Sequence, residues 1–241
     1  MSTDLVPVDL SQLPSVSLGD DAMFNDLAKA AEFLGRLQLV SKGKLVDKGL
    51  VRPGHYAIPE SAEEALDLGD SIDLIPFARR PKALDMSDKD ALIASYDPNS
   101  DEFKRIAATS AEKESSCMYG VEFLIFERST GRFLEFFCGT KSTRSEAKKL
   151  YPFMALSQAD IEARNLTDVE PHGPLPLTLK SRYVEKGAYS WFVPVVVKCS
   201  TPFGNLPQTA KIVAEITKFL NPKKDAVEKV QEPTGKKARA R

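Results

Sequence analysis

The chain predicts an α+β fold, a small curved antiparallel sheet or partly open barrel with flanking helices. Three observations carry this. Residues 121–138, VEFLIFERSTGRFLEFFC, read as one β-hairpin, and residues 174–199, PLPLTLKSRYVEKGAYSWFVPVVVKC, read as another. The strands are not spaced by regular long helices, which weighs against a doubly wound parallel sheet.

The organisation predicted is an extended N-terminal arm over 1–19, a single α+β domain over 20–221 with its β-rich part at about 50–200, and a disordered basic tail over 222–241. Pro7, Pro14 and Gly19 break any periodicity in the arm. Asp20 or Asp21 is placed to cap a helix in which Phe24, Leu27, Ala31, Leu34 and Leu37 recur, ending near Ser41-Lys42-Gly43. The Gly- and Pro-dense stretch from Gly43 to Glu60 predicts turns around short extended pieces. Ser61 with Glu64 matches a capping box for a short helix ending at Gly69. SIDLIPFARR predicts a strand, at an edge or bulged because Pro76 has no N–H for a ladder bond.

Residues 87–110 read as two helical pieces broken at Asp97-Pro98, with Ser87 and Ser100 as caps. In the first hairpin, a loop beginning at Arg128 pairs Glu127 with Arg132, whereas a loop one residue shorter would set Arg128 opposite Arg132. The preferred register aligns Val121, Phe123 and Ile125 with Leu134, Phe136 and Cys138. It puts Phe126, Phe133 and Phe137 beside Glu122 and Glu135 on a face predicted to lie under a helix. A basic helix over 143–154 stops at Tyr151-Pro152, and Ser157 with Asp160 opens another. In the last hairpin, a three-residue connection Glu185-Lys186-Gly187 sets Lys180 opposite Phe192 and Arg182 opposite Ser190. Pro207 fits a helix N1 position, with Ala210, Val213, Ile216 and Leu220 as the packing face.

Composition excludes little. Hydrophobic residues at 42% and charged residues at 28% are ordinary for a globular chain. The 33 Lys and Arg nearly balance the 34 Asp and Glu, so net charge alone does not point to nucleic acid. From Asn221 onward seven Lys/Arg face three Asp/Glu, a basic tail on a mildly acidic body. Cys117, Cys138 and Cys199 are too few and too scattered for a disulfide framework; reduced thiols and a cytoplasmic setting (host cytoplasm for a viral protein) are expected. No signal peptide is visible, and no apolar run approaches the ~20 residues of a membrane span.

Catalytic signatures are missing. His55 and His172 are isolated in loops, no CxxC occurs, and no metal or cofactor is expected. There is no GxSxG and no phosphate-cradling GxxxxGK[ST]. Glu146-Ala147-Lys148 has the acid-x-lysine spacing of one nuclease class, but it sits in a helical stretch where that chemistry needs a strand beside a second carboxylate such as Asp70 or Asp73. A non-enzymatic protein is expected.

Polyanion binding is the reading that remains. Basic islands lie at Arg79-Arg80 with Lys82, at Lys141 with Arg144, Lys148 and Lys149, at Lys180 with Arg182, and in the tail. Cations along strands neutralise phosphates, and an outward ring such as Phe192 stacks bases at about 1–3 kcal/mol each. In arrangement, a helical N-terminal arm, the GDSIDLIPF strand, the VEFLIF and FLEFFC hairpin, the YSWFVPVVV strand and a polar tail, the chain resembles phage-type single-stranded DNA-binding proteins on an OB-like barrel, over about residues 50–200. That resemblance implies binding of exposed single-stranded DNA (RNA being the other strand to test) in replication or recombination, without catalysis. Its partners would be replication or recombination proteins or a second copy of the chain. The basic end GKKARAR departs from the acidic partner-recruiting tail of many such proteins. The competing class is a structural or assembly protein that binds no nucleic acid, which fits the near-neutral charge and the unpatterned termini.

Overall fold

A computed structural model of the protein describes residues 34–61, 63–87, 91–112, 115–200, 203, 206–221 and 228–229. The arm over 1–19, the start of the helix expected from residue 20, and nearly all of the tail lie outside the described residues.

The architecture is α+β around one large, mixed, open sheet. Its strands are β1 (Gly35–Leu39), β2 (Tyr56–Pro59), β3 (Ala65–Gly69), β4 (Ser71–Asp85), β5 (Ala91–Ser95), β6 (Cys117–Glu127), β7 (Arg132–Cys138), β8 (Leu177–Lys186), β9 (Tyr189–Lys198) and a two-residue β10 (Glu228–Lys229). The order runs β10-β5-β4-β6-β7-β1-β2-β3, and β8 joins at β4 and carries β9. β1 runs parallel to β7 while the other pairs are antiparallel, so the sheet is larger than the small antiparallel one expected, and mixed.

β4 organises this sheet. It is central, and of the two positions its proline allowed, an edge or a bulge, it takes the bulge: the register shifts between Pro76 and Ala78. One side of β4 is taken by β6 along most of its length. The other is divided: Ser71–Leu74 pair with β8, and Ala83–Asp85 pair with β5. The β8–β9 ribbon therefore leaves the sheet at the start of β4.

Both faces of the sheet are apolar. Ile72, Leu74, Phe123, Ile125, Leu134 and Phe136 share one core with Leu150, Leu177 and Leu179. On the other face Ile75, Phe77, Leu124, Phe126 and Phe133 pack under helix α5 (Thr209–Leu220) through Ile212, Ile216 and Phe219. Each of those three side chains contributes about 1.5–3 kcal/mol by leaving water. The buried stripe is thus 212/216/219, not the 210/213/216/220 face expected, although the predicted helical cover over Phe126 and Phe133 is present.

The first hairpin has the predicted register, with Val121↔Cys138, Phe123↔Phe136, Ile125↔Leu134 and Glu127↔Arg132. Glu127 secures the turn by accepting from the Ser129 and Thr130 amides, both at 2.8 Å. Ser100 caps helix α2 (Asp101–Thr109) and Ser157 caps α4 (Gln158–Ala163) in a capping box with Asp160, as expected.

Three elements depart from expectation. Residues 35–39 form a strand rather than a helix end: Leu37 is buried and its neighbours Arg36 and Gln38 are not, a period of two. Residues 65–69 pair with β2 instead of following the Ser61 cap, and residues 91–95 pair with β4 instead of forming a helix. In each case an open sheet edge outweighs weak helix propensity. A short helix α1 (Lys44–Asp47) replaces part of the expected turn region.

Candidate functional site

The terminal ribbon is tied at its base by Leu177 and Leu179, both fully buried, and by Val196 against the same core. Toward its tip it is open to solvent: Tyr183 is 54% exposed and Tyr189 is 73% exposed. Its register corrects the sequence expectation. Lys186 pairs with Tyr189, Tyr183 with Phe192, Arg182 with Val193 and Lys180 with Val195. The connection is the two-residue Gly187-Ala188, with Gly187 at φ 60 and no left-handed residue after it, the type II′ pattern. An odd slip in register exchanges the faces of one strand relative to the other. Phe192 therefore lies on the face opposite Lys180 and Arg182, beside Tyr183, and does not form a patch with them.

The face that carries Lys180 and Arg182 also carries Lys186, and all three are exposed at alternating positions of β8. Across from them stand Tyr189, Trp191, Val193 and Val195 of β9. Lys186 was not among the residues singled out from sequence, although its alternation with Lys180 and Arg182 was legible. The register expected from sequence put Tyr189 on the apolar side with Trp191, as core, and the shorter turn brings it, exposed, opposite Lys186.

Helix α3 (Lys141–Ala147) packs beside β9. Thr140 caps it in a reciprocal hydrogen-bonded box with Thr143. Arg144 is not a free surface cation: Nη1 donates to the carbonyls of Tyr119 at 2.7 Å and Gly139 at 3.1 Å, and the guanidinium lies 4.0 Å from the Tyr119 ring centre. Glu146 sits 2.8 Å from Lys149 Nζ and 4.0 Å from Arg182, which joins the helix to the ribbon's cationic face. Lys141 and Lys148 are exposed. Glu146 and Lys148 lie on helical turns, and Asp73 is taken up by Thr178 Oγ1 at 2.6 Å and Arg128 at 3.2 Å, so the acid-x-lysine motif forms no two-carboxylate site.

The third basic island is removed from the surface. Arg80 and Lys82 are 3% and 2% exposed. Arg80 stands directly across from Glu122. Its guanidinium meets Glu122 at 2.7 Å and Glu135 at 2.8 Å, and Nη1 donates to the Phe219 carbonyl. Lys82 bonds Glu122 and lies 4.0 Å from Glu135. The two glutamates seen beside the Phe126/Phe133/Phe137 face are thus the partners of cations on β4, Glu122 from the adjacent β6 and Glu135 from β7 beyond it. Burial, and then the Glu122 charge, push the Glu135 carboxyl above its usual range. Tyr96 lies under Arg80, with 4.2 Å from guanidinium carbon to ring centre, and burial pushes its hydroxyl up to about 12. Arg79 is half-buried over the Tyr151 ring at 4.3 Å, and burial lowers its pKa.

Between the ribbon and the sheet lies a cleft of about 730 Å³. Trp191, Phe192 and Pro194, from both faces of β9, line it, so it runs along the edge of that strand that is unpaired among the described residues. Arg36, Lys82, Glu122 and Glu135 border it as well. The Trp191 indole N–H is buried with no hydrogen-bond partner among the described residues.

His55 Nδ1 contacts Asp67 at 2.9 Å just after a turn that begins at Arg52, and His172 Nδ1 contacts the Gly173 carbonyl at 2.7 Å in an isolated antiparallel bridge with Leu156. Among the described residues no His, Cys, Asp and Glu cluster has metal-binding geometry, and no helix is long and apolar enough to cross a membrane. Comparison with known protein families, curated proteins and solved structures finds no match.

Proposed function

We propose that the protein is a non-enzymatic single-stranded nucleic-acid-binding protein, acting on DNA in replication or recombination. The observation that carries this is the run of exposed cations Lys180, Arg182 and Lys186 on one face of β8, with the exposed Tyr189 ring across from Lys186. A strand-borne row of cations on one face, two and then four residues apart, tracks a phosphate backbone, and an adjacent open ring gives a base a stacking surface without reading its sequence. Lys148 and Lys149 extend the positive surface along the neighbouring helical segment. Lys141 stands at the start of α3, and Arg79, Arg80, Lys82, Arg144 and Phe192 have no part in this surface. An OB-like curl of the β4–β6–β7 core belongs to the same proposal, with the resemblance to phage-type single-stranded DNA-binding proteins as its functional frame.

Filter-binding titrations with a thymidine oligomer and with duplex DNA, each at two salt concentrations, test the reading. Retention of the oligomer in preference to duplex, weakening as salt rises, is expected. A chain that retains neither at low salt, and elutes as a stable large assembly, belongs to the structural class instead.

A further inference from the structure

The cleft beside β9 has chemistry that a surface contact to phosphate does not use. Lys82 and Lys141 border it against two carboxylates, Glu122 and Glu135, and Arg36 lies 4.0 Å from Glu135. Arg80 also binds both carboxylates, so Arg80, Lys82 and Lys141 outnumber the two carboxylates even without Arg36. The remaining walls are flat and apolar, formed by Phe137, Phe192, Met86 and Met118 together with the Trp191 ring. The Trp191 N–H has no acceptor among the described residues. An unsatisfied buried donor is costly, and an acceptor on a bound molecule that reached it would recover that cost. The volume of about 730 Å³ is within the usual range of small-molecule sites.

We infer that this cleft receives a nucleotide unit: a planar base among the apolar side chains, with its phosphate balancing the surplus cationic charge. In strand form the inference rests on the single-stranded DNA reading, with the ribbon's cations holding the backbone and the cleft taking a splayed base. A free mononucleotide supplies the same chemistry. The site adjoins the ribbon's cationic face, with which it shares Trp191, and extends from it along the edge of β9 that β8 leaves free.

Trp191 is the single tryptophan of the chain, so tryptophan emission from the intact protein reports this site. The protein is titrated with thymidine monophosphate, with deoxyribose 5-phosphate, with a thymidine oligomer, and with an abasic oligomer of equal length, while filter retention is followed in parallel. Expected is a saturable emission change with the monophosphate and the thymidine oligomer, and none with deoxyribose phosphate. The abasic oligomer is retained yet leaves emission unchanged. Met86→Glu, at a lining position 42% exposed, weakens the monophosphate response by about tenfold and leaves the melting midpoint and abasic retention as in the parent. Thymidine oligomer retained with no emission change, and no response to the monophosphate, overturns the cleft inference and leaves the ribbon reading standing. Equal emission changes with abasic and thymidine oligomers overturn it as well. A monophosphate response with no oligomer retained upholds the cleft as a free-nucleotide site and removes the strand reading.

Discussion

Tyr183 and Phe192 face each other across the terminal ribbon, their ring centres 5.3 Å apart and tilted by 62°. This pairing turns Phe192 toward Gly54, where a Cβ would come within 2.4 Å of the ring. Gly54 has φ 85, so a side chain there is strained as well as crowded. Phe192 therefore braces the ribbon against the loop before β2.

Phe192→Ala is expected to cost about 2 kcal/mol of stability, less than a fully buried ring would. Phosphate-dependent binding of an abasic oligomer should be nearly unchanged. Gly54→Ala should destabilise too, and less in the Phe192→Ala background, where the clash is relieved but the left-handed backbone is not. Urea unfolding of the four proteins in this cycle measures the coupling. Additive losses would mean the two residues do not touch in solution.

The buried group of Arg80, Lys82, Glu122 and Glu135 makes a sharper prediction. Arg80→Met leaves two carboxylates facing Lys82 and the more distant Arg36, and should cost about 3–5 kcal/mol. Arg80→Met with Glu122→Leu removes a charge of each sign, so the double variant should be more stable than the sum of the single losses implies. Denaturant midpoints check this. A loss below about 1 kcal/mol for Arg80→Met would place the guanidinium in water.

Asp85 gives the pH dependence. The Ser87 hydroxyl at 2.6 Å and then the Arg105 guanidinium at 2.7 Å hold its carboxyl well below the usual carboxylate range. Arg105 is shared with Glu102 at 2.6 Å, and Cys117 lies beside the carboxylate. A depressed folded-state pKa contributes stability that is complete above the unfolded value of about 3.9 and is lost as pH falls toward the folded one. Asp85→Asn, which keeps the side chain's shape but cannot ionise, should therefore cost about 2 kcal/mol at neutral pH and progressively less below about pH 4. Thermal melts from pH 7 down to pH 3 would show the gap narrowing. A constant gap would mean that the Asp85 charge contributes nothing to the fold.

How far the sequence carried depended on whether a local pattern had one reading. The β6–β7 hairpin was legible because only one loop length paired Glu127 with Arg132 instead of setting Arg128 against Arg132. The β8–β9 ribbon was not, because Gly187 satisfies both a three-residue loop and a type II′ turn, and the two place Phe192 on opposite faces. Arg80 and Lys82 look like any solvated basic pair until β4 is laid against β6, because their partners are more than thirty residues away in the chain. Residues 35–39 and 65–69 become strands only through edges supplied by β7 and β2, contacts that no local window contains. The exposed cations Lys180 and Arg182 were found from sequence; the cleft on the unpaired edge of β9 has no local signature.

The most direct measurement is the salt dependence of oligomer binding for the parent chain and for Lys180→Ala/Arg182→Ala/Lys186→Ala. These side chains are exposed, and their loss should leave the fold intact. If the three touch phosphates, the logarithmic salt slope should become shallower by about 2, and affinity at low salt should fall steeply. Two superimposable salt lines would contradict it and take single-stranded nucleic acid off this face of the ribbon.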